Sequence, residues 1–306
     1  MLSPDDDGLA TAAAMLARGG LVAMPTETVY GLAADARNDA AVAAVYAAKG
    51  RPAFNPLIVH VPDLDAARRY GVFDDQAEAL AAAFWPGPLT LVVRLREEGG
   101  LSRLVTAGSP TVALRVPAHP VARALLRMFG GPLAAPSANP SGRVSPTTAA
   151  HVLAGLDGAI DAVIDGGACA VGLESTIVDC TGSGAVLRAG GIPSEDVAPF
   201  LTGAPTGGDR PMSPGQLASH YAPRGRVRLN ATQAAPGEVL VGFGPIAGDM
   251  TLSARGDLAE AAAALFNVLH RLDAMKADAI AFAPVPETGL GVAINDRLRR
   301  AAAPRD

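Results

Sequence analysis

The chain is short of cysteine, lysine and aromatic residues, and each shortage closes off a class of function. Its two cysteines, Cys169 and Cys180, have neither a CxxC spacing nor a histidine cluster beside them, so no disulfide framework or zinc site is expected. Both read as ordinary buried thiols. Aromatics make up 4% of the residues, too few for base-stacking platforms, and a formal charge of -5 lacks the basic excess of a phosphate-tracking coat. No apolar run is long and uninterrupted enough to cross a bilayer. The start, MLSPDDDGLA, is acidic where a signal peptide is basic, so a cytoplasmic location is expected. Common catalytic signatures are missing too: there is no GxxxxGK[ST], HExxH, GxSxG or EF-hand loop, and the five histidines are scattered. GFGPIAG at 242–248 misses the GxGxxG spacing, and Pro245 removes an amide donor from it.

What is present is a compact globular composition, 49% apolar and 18% charged over 306 residues, enough for one large or two moderate domains. Residues 9 to about 203 alternate short apolar strands with Ala-rich helices. LATAAAMLARGG reads as a helix closed by Gly19 and Gly20, and LVAMP as the strand after it. DAAVAAVYAAKG is a second helix, capped by Asn38 or Asp39 and stopped at Gly50. Strands are expected at LIVH, LTLVVRL, TVALRVP, PLAAPSA, AVIDGG, STIVDC and AVLRAG, with helices at 63–70, 74–84, 119–129, 147–154 and 194–200. This is an α/β domain with a mixed, twisted sheet, assigned to residues 1–203. Residues 204–224 form a Gly/Pro/Ser/Thr-rich linker in which SHYAP, 219–223, is unexpectedly elaborate. Residues 225–306 read as a small Rossmann-like α/β domain: VRLN, EVLVGFG, a helix over about 255–274, AIAFAPV and a final helix through LGVAINDRLRRAAA.

The polar groups gather at strand ends. PTETVYG, 25–31, follows a strand, where open α/β sheets place ligands, although a Thr-rich turn bonding to itself reads similarly. Lys49 is one of only two lysines in an arginine-rich chain and stands beside Arg51, a pairing suited to anionic oxygens or to a helix C-terminus. APSANPSGRVSPT, 135–147, is rich in hydrogen-bond donors and leads into a helix that Ser145 or Thr147 would cap. Arg115, inside the apolar strand ALRVP, must meet an anion, either an internal carboxylate such as Glu174 or one on a ligand. ESTIVD and VLRAG add Ser175, Thr176 and Arg188 at neighbouring strand ends. Together these cations and hydroxyls describe a pocket for a ligand with several negative charges, such as a nucleoside triphosphate beside a small carboxylate, that works by positioning rather than by a covalent nucleophile.

PTETVYGLAADA, KGRPAFNPLIVH, FWPGPLTLVV, VALRVPAHP, LAAPSANPSGRVSPT, GLESTIVD and VLRAGGI, in this order, resemble the Sua5/YrdC family of L-threonylcarbamoyladenylate synthases. SPGQLASHYAP and GLGVAINDRLRRAA are similar to the longer, two-domain Sua5 form, and the resemblance covers nearly the whole chain. It implies a YrdC-like α/β fold and a nucleotidyltransferase joining L-threonine, bicarbonate or CO2 and ATP into threonylcarbamoyl-AMP and pyrophosphate, with Mg2+ on the triphosphate. The product would pass to a tRNA threonylcarbamoyl transferase complex that makes N6-threonylcarbamoyladenosine at position 37 of ANN-decoding tRNAs, with direct tRNA binding weak or absent. Position by position, the resemblance implies threonine contacts at Thr28, His60, Arg115, Ser137 and Ser175. It implies ATP contacts at Arg51, Asn55, Thr111, Asn139, Ser145 and Arg188, and a nucleotide-covering role for Tyr221 on a linker acting as a lid. Lys49 would meet phosphate or carbamate oxygens, so Lys49 and Arg51 are the residues expected to carry the reaction. The C-terminal domain shows no motif that argues chemistry. Two other readings compete: a carbamoyl-adenylate-forming module of related fold, which would need zinc-finger cysteines absent here, and an RNA-binding module using the same concave face.

Overall fold

A computed structural model describes residues 1–182, 184–201 and 221–304. The chain begins with α1 (Asp6–Ala17), β1 (Val22–Met24), β2 (Gly31–Asp35), α2 (Asp39–Lys49), β3 (Ile58–His60), α3 (Leu64–Ala67), β4 (Gly71–Val72) and α4 (Asp75–Phe84). It continues through β5 (Leu89–Leu95), β6 (Thr111–Arg115), α5 (Pro120–Phe129), β7 (Leu133–Ala134), α6 (Ala149–Leu156), β8 (Ala162–Val163), β9 (Thr176–Asp179), β10 (Ala185–Arg188) and α7 (Ser194–Val197). The last part holds β11 (Arg226–Arg228), β12 (Val239–Gly242), β13 (Met250–Thr251), α8 (Leu258–Ala274), β14 (Ala279–Phe282) and α9 (Leu290–Ala302).

Helices start where a short polar side chain can take up free amides. Asp5 accepts from the Gly8 amide, Asn38 from Ala40 and Ala41, Asp74 from Ala77 and Asp257 from Glu260. They end where glycine supplies the left-handed conformation, at Gly50 (φ 57) and Gly130 (φ 69). Expected helices at 63–70 and 194–200 are shorter in fact: the first is α helix only over Leu64–Ala67, and the second turns into a 3-10 turn at Ala198. The sequence reading missed three strands, β2, β4 and β13. The latter two are two-residue pairings whose formation depends on a neighbour rather than on local pattern.

The described residues make two sheets. The larger is mixed, with order β10-β9-β5-β6-β3-β7-β2-β1-β8 and β4 added alongside β5. The smaller is wholly parallel, β11-β14-β12-β13. In the large sheet β3 and β6 run parallel in a register that sets His60 beside Arg115 at their carboxyl ends. The two parts share a core: Val29, Val144 and Leu173, from loops of the first, pack in one cluster with Tyr221, Leu265, Phe266, Leu269 and Phe282. Polar contacts reinforce the seam. His270 on α8 stands 3.0 Å from the Ser145 carbonyl, and its ring stacks on His151 of α6 at 3.8 Å. Residues 204–220 of the expected linker, including Ser219 and His220, lie outside the described residues, while Tyr221 is packed inside the seam.

Gly172 has φ +72, and a Cβ there would stand 2.5 Å from the Ala263 Cα of α8. Gly172→Ala therefore has to push α8 off the first unit and also adopt a left-handed backbone. It should lower stability by roughly 1–3 kcal/mol, measured as a shift in the urea midpoint.

Candidate active site

The end of α2 explains why two neighbouring cations serve different ends. Lys49 continues the buried stripe Val42, Val45, Tyr46, so its side chain runs inward along the helix face. Its ammonium donates to the Ser137 and Asn139 carbonyls, and its own carbonyl accepts from the Ser141 amide at 2.7 Å. Lys49 thus fastens the 137–141 loop at three points. Burial, with help from Arg51, pushes its pKa well below the usual lysine range. After Gly50 reverses the chain, Arg51 turns the other way, into a cleft. There its Nε donates to the Asn55 carbonyl at 3.3 Å and its Nη2 to the Pro56 carbonyl at 3.0 Å. Arg51 is buried yet forms no salt bridge among the described residues, and burial lowers its pKa to about 10.

At the next strand ends, Arg115 is oriented by three acceptors: the Gly87 carbonyl, Thr28 Oγ1 at 2.9 Å and Glu27 Oε1 at 2.7 Å. The internal carboxylate that Arg115 meets is therefore Glu27 rather than Glu174. Glu27 also accepts from the Ala118 and His119 amides. Burial alone would raise the Glu27 pKa, but the charge and hydrogen bond of Arg115 outweigh it and hold the carboxyl below its usual range. Three acceptors leave one N–H on each terminal nitrogen of Arg115 for a ligand carboxylate. Thr26 shapes the same corner: its hydroxyl bridges Thr28 Oγ1 at 2.8 Å and donates to the Val29 carbonyl at 2.6 Å. His60 is held neutral, its pKa driven down to about 3 by burial and then by Arg115.

The opposite wall comes from β9 and β10. Ser175, just before β9, bonds Thr90 at 2.7 Å and takes a hydrogen bond from Arg188 Nη2 at 3.1 Å; the Ser175 carbonyl also accepts from Arg188. Glu174 faces the cleft but is committed on both oxygens, to Ser145 Oγ at 2.6 Å and to Arg297 Nε at 3.1 Å. Burial raises its pKa less than Arg297 and Arg188 lower it, so it stays ionised. Tyr221, φ +62, closes this side with its ring 5.6 Å from Phe266.

Of the expected site residues, Thr28, Arg51, His60, Arg115, Ser137, Ser175, Arg188 and Tyr221 line one cleft. Lys49, Asn55, Thr111, Asn139 and Ser145 do not. Lys49 lies behind the loop it fastens, Asn55 presents its carbonyl to Arg51, and Ser145 supports Glu174. Thr111 bonds Ser109 at the far end of β6, and Asn139 spends its amide on the Pro140 and Arg143 carbonyls. The sequence reading missed Thr26, Glu27 and Arg297. Glu27 carried a signal, an acid among threonines at a strand end. Arg297 carried another, standing on the buried stripe of α9 with Ile294, Leu298 and Ala301.

A family model for the Sua5/YciO/YrdC domain, described as "Telomere recombination", matches residues 14–190. Another, described as "Threonylcarbamoyl-AMP synthase, C-terminal domain", matches residues 185–303. The threonylcarbamoyl-AMP synthase of Bacillus subtilis is 41% identical over 99% of this chain and 95% of its own. That of Pyrococcus abyssi is 39% identical over 96% and 94%. A crystal structure of P. abyssi Sua5 complexed with L-threonine matches with a TM-score of 0.89 at 36% identity, covering 97% of this chain and 95% of that one. With both parts matched in order and nearly the full length shared, the chain belongs to the Sua5/YrdC family.

Proposed function

We propose that the cleft makes threonylcarbamoyl-AMP from L-threonine, bicarbonate or CO2, and ATP, releasing pyrophosphate. The observation that carries the polyanion half of this reading is Arg51, a buried guanidinium facing the cleft and held by carbonyls alone. Such a group is desolvated without a counter-charge, and an anionic ligand supplies one. Threonine is placed at the β3–β6 end. The two free N–H groups of Arg115 take its carboxylate, Thr28 stands beside them, and neutral His60 and Ser175 complete that side. ATP is placed toward Arg51 and Arg188, with Tyr221 over the nucleotide; Asn55 holds Arg51 and Ser145 holds Glu174, while Thr111 and Asn139, expected as ATP contacts, are bonded elsewhere.

The threonine amine attacks the carbon of CO2 with loss of one proton, or that of bicarbonate with loss of water, to give a carbamate. A carbamate oxygen then displaces pyrophosphate from the α-phosphate. Every bonding partner is a substrate, so the protein's part is alignment, charge neutralisation and exclusion of water from a hydrolysable product. Mg2+ would arrive on the triphosphate. Glu27 and Glu174 are already committed to arginines, and among the described residues no group of three His, Cys, Asp or Glu could hold a metal. The division into residues 1–203, a 204–224 linker and 225–306 is proposed with Tyr221 as the seated end of the lid. Transfer of the product to a tRNA-modifying transferase in the cytoplasm, without tight tRNA binding by this chain, completes the reading; no helix of the described residues is long and apolar enough to cross a membrane.

Pyrophosphate release from ATP and Mg2+ should require both threonine and bicarbonate, with a threonylcarbamoyl-AMP mass appearing and serine a poor substitute. Release indifferent to threonine would reject the second substrate. Arg51→Ala should lower turnover by roughly a hundredfold or more with the fold intact. Lys49→Ala should lower it comparably, but with faster amide exchange in residues 137–141, because it frees the loop. The folded chain resists protonating His60 between pH 6.5 and about 3, whereas the unfolded chain takes up that proton. Stability from this group is thus present above 6.5 and lost as pH falls. His60→Gln should accordingly reduce the loss in urea midpoint on going from about pH 7 to about pH 5, and an unchanged slope would count against a neutral buried His60.

A further inference from the structure

We propose that Arg297, on α9 of the C-terminal unit, is a positioning residue of the nucleotide site, neutralising Glu174 from behind the cleft wall so that no bare carboxylate faces bound phosphate. This rests on the reading of the cleft as an ATP site and adds a role in it for the second unit.

Arg297 is fully buried, an unusual setting for an arginine. Its Nε and Nη2 both lie 3.1 Å from Glu174 Oε2, and its Nη1 donates to the Ala189 carbonyl at 2.6 Å and to Asp296 at 3.1 Å. The Arg297 Cζ lies over the Tyr221 ring, 5.4 Å from its centre. One side chain therefore holds the carboxylate at the mouth of β9, the backbone beyond β10 and the residue that closes the cleft. These elements belong to the first unit and the linker, and the side chain that joins them comes from the last helix.

The charge arithmetic gives that junction a chemical purpose. Glu174 lines the same cleft as Arg51 and Arg188. Without Arg297 its negative charge remains a bare anion facing a polyanion. That weakens ATP binding and leaves the threonine end, governed by Arg115 and Glu27, largely untouched. Among the described residues, the groups facing Glu174 are Arg297 and Arg188, the Tyr221 and Ser145 hydroxyls, and, beyond Arg297, Asp296 and Arg300.

The test measures ATP dissociation constants and threonine KM for the full chain, Arg297→Met, Arg297→Lys, Glu174→Gln and the double variant E174Q/R297M. Arg297→Met should bind ATP at least about tenfold more weakly at about pH 8, with threonine KM within about threefold of the unmutated chain. Its ATP affinity, relative to the unmutated chain, should recover as pH falls to about 6, because Glu174 then takes a proton it can no longer refuse. The double variant should bind ATP within about threefold of the unmutated chain at both pH values. Unchanged ATP binding by Arg297→Met, or a loss that neither acid nor the second substitution relieves, overturns the proposal and leaves Arg297 a packing residue. If Arg297→Met does not fold, Arg297→Lys and the double variant decide: weak ATP binding by both overturns it, and near-normal binding by both upholds it. Failure of the unmutated chain to bind ATP would instead reject the nucleotide reading of the cleft.

Discussion

Holding several guanidiniums inside one end of a sheet without neutralising all of them is the constraint on which the rest of this structure depends. Arg51, Arg115, Arg188 and Arg297 are all buried, and a buried cation is costly unless hydrogen bonds and counter-charges meet it. The chain answers with two carboxylates and many carbonyls. Glu27 takes Arg115 and Glu174 takes Arg297, whereas Arg51 is satisfied by the Asn55 and Pro56 carbonyls, which carry no net charge. Among the described residues Arg51 thus brings to the cleft a positive charge that no carboxylate pairs. Backbone acceptors are abundant only where strands end and loops turn, so the same constraint places the site at the ends of β3, β6, β9 and β10.

The second unit belongs to this electrostatic arrangement as well as to the packing. Its small parallel sheet and α8 share a core with Val29, which lines the cleft, with Leu173, next to the cleft-lining Glu174, and with Val144, next to the Ser145 that holds Glu174. Movement at that seam would be felt at Thr28, Ser145 and Glu174 together. Gly172 lets the loop before Glu174 approach α8 closely, and His270 reaches the carbonyl of Ser145, the residue whose hydroxyl holds Glu174. Together with the Arg297 ion pair, three contacts from the second unit thus converge on Glu174.

Much of this was legible in the sequence because it rests on local pattern. Caps at Asn38 and Asp74 and the stop at Gly50 follow from side-chain chemistry a few residues away, and continuous apolar runs such as LTLVV mark strands buried on both faces. Arg115 within an apolar strand announced an anion, although spacing could not say that the anion was Glu27, 88 residues away. Pairings of that kind depend on sheet order, which a single sequence does not contain. β2 escaped for a similar reason: GLAAD has no β-branched residue, and it is strand because β1 and β7 flank it. The 137–141 loop reads in sequence as a row of donors aimed at a ligand, yet several are spent on the backbone. Asn139 bonds the Pro140 and Arg143 carbonyls, which leaves Ser137 as the member of that loop lining the cleft.

A lysine in a chain that otherwise favours arginine also has its explanation in this geometry. At the last turn of α2 the side chain must end among carbonyls two residues apart, those of Ser137 and Asn139, inside a loop that closes back on the helix through the Ser141 amide. An ammonium is compact and directs its donors tetrahedrally, so it can serve both carbonyls from one atom; a guanidinium spreads its donors over a plane and needs room on either side. Arg51 has that room, because it stands at the edge of a cleft where its unused donors face open space. The neighbouring cations are therefore not duplicates. Lys49 closes the loop, and the wall so formed presents Ser137 to the same cleft that Arg51 enters from the other side of Gly50.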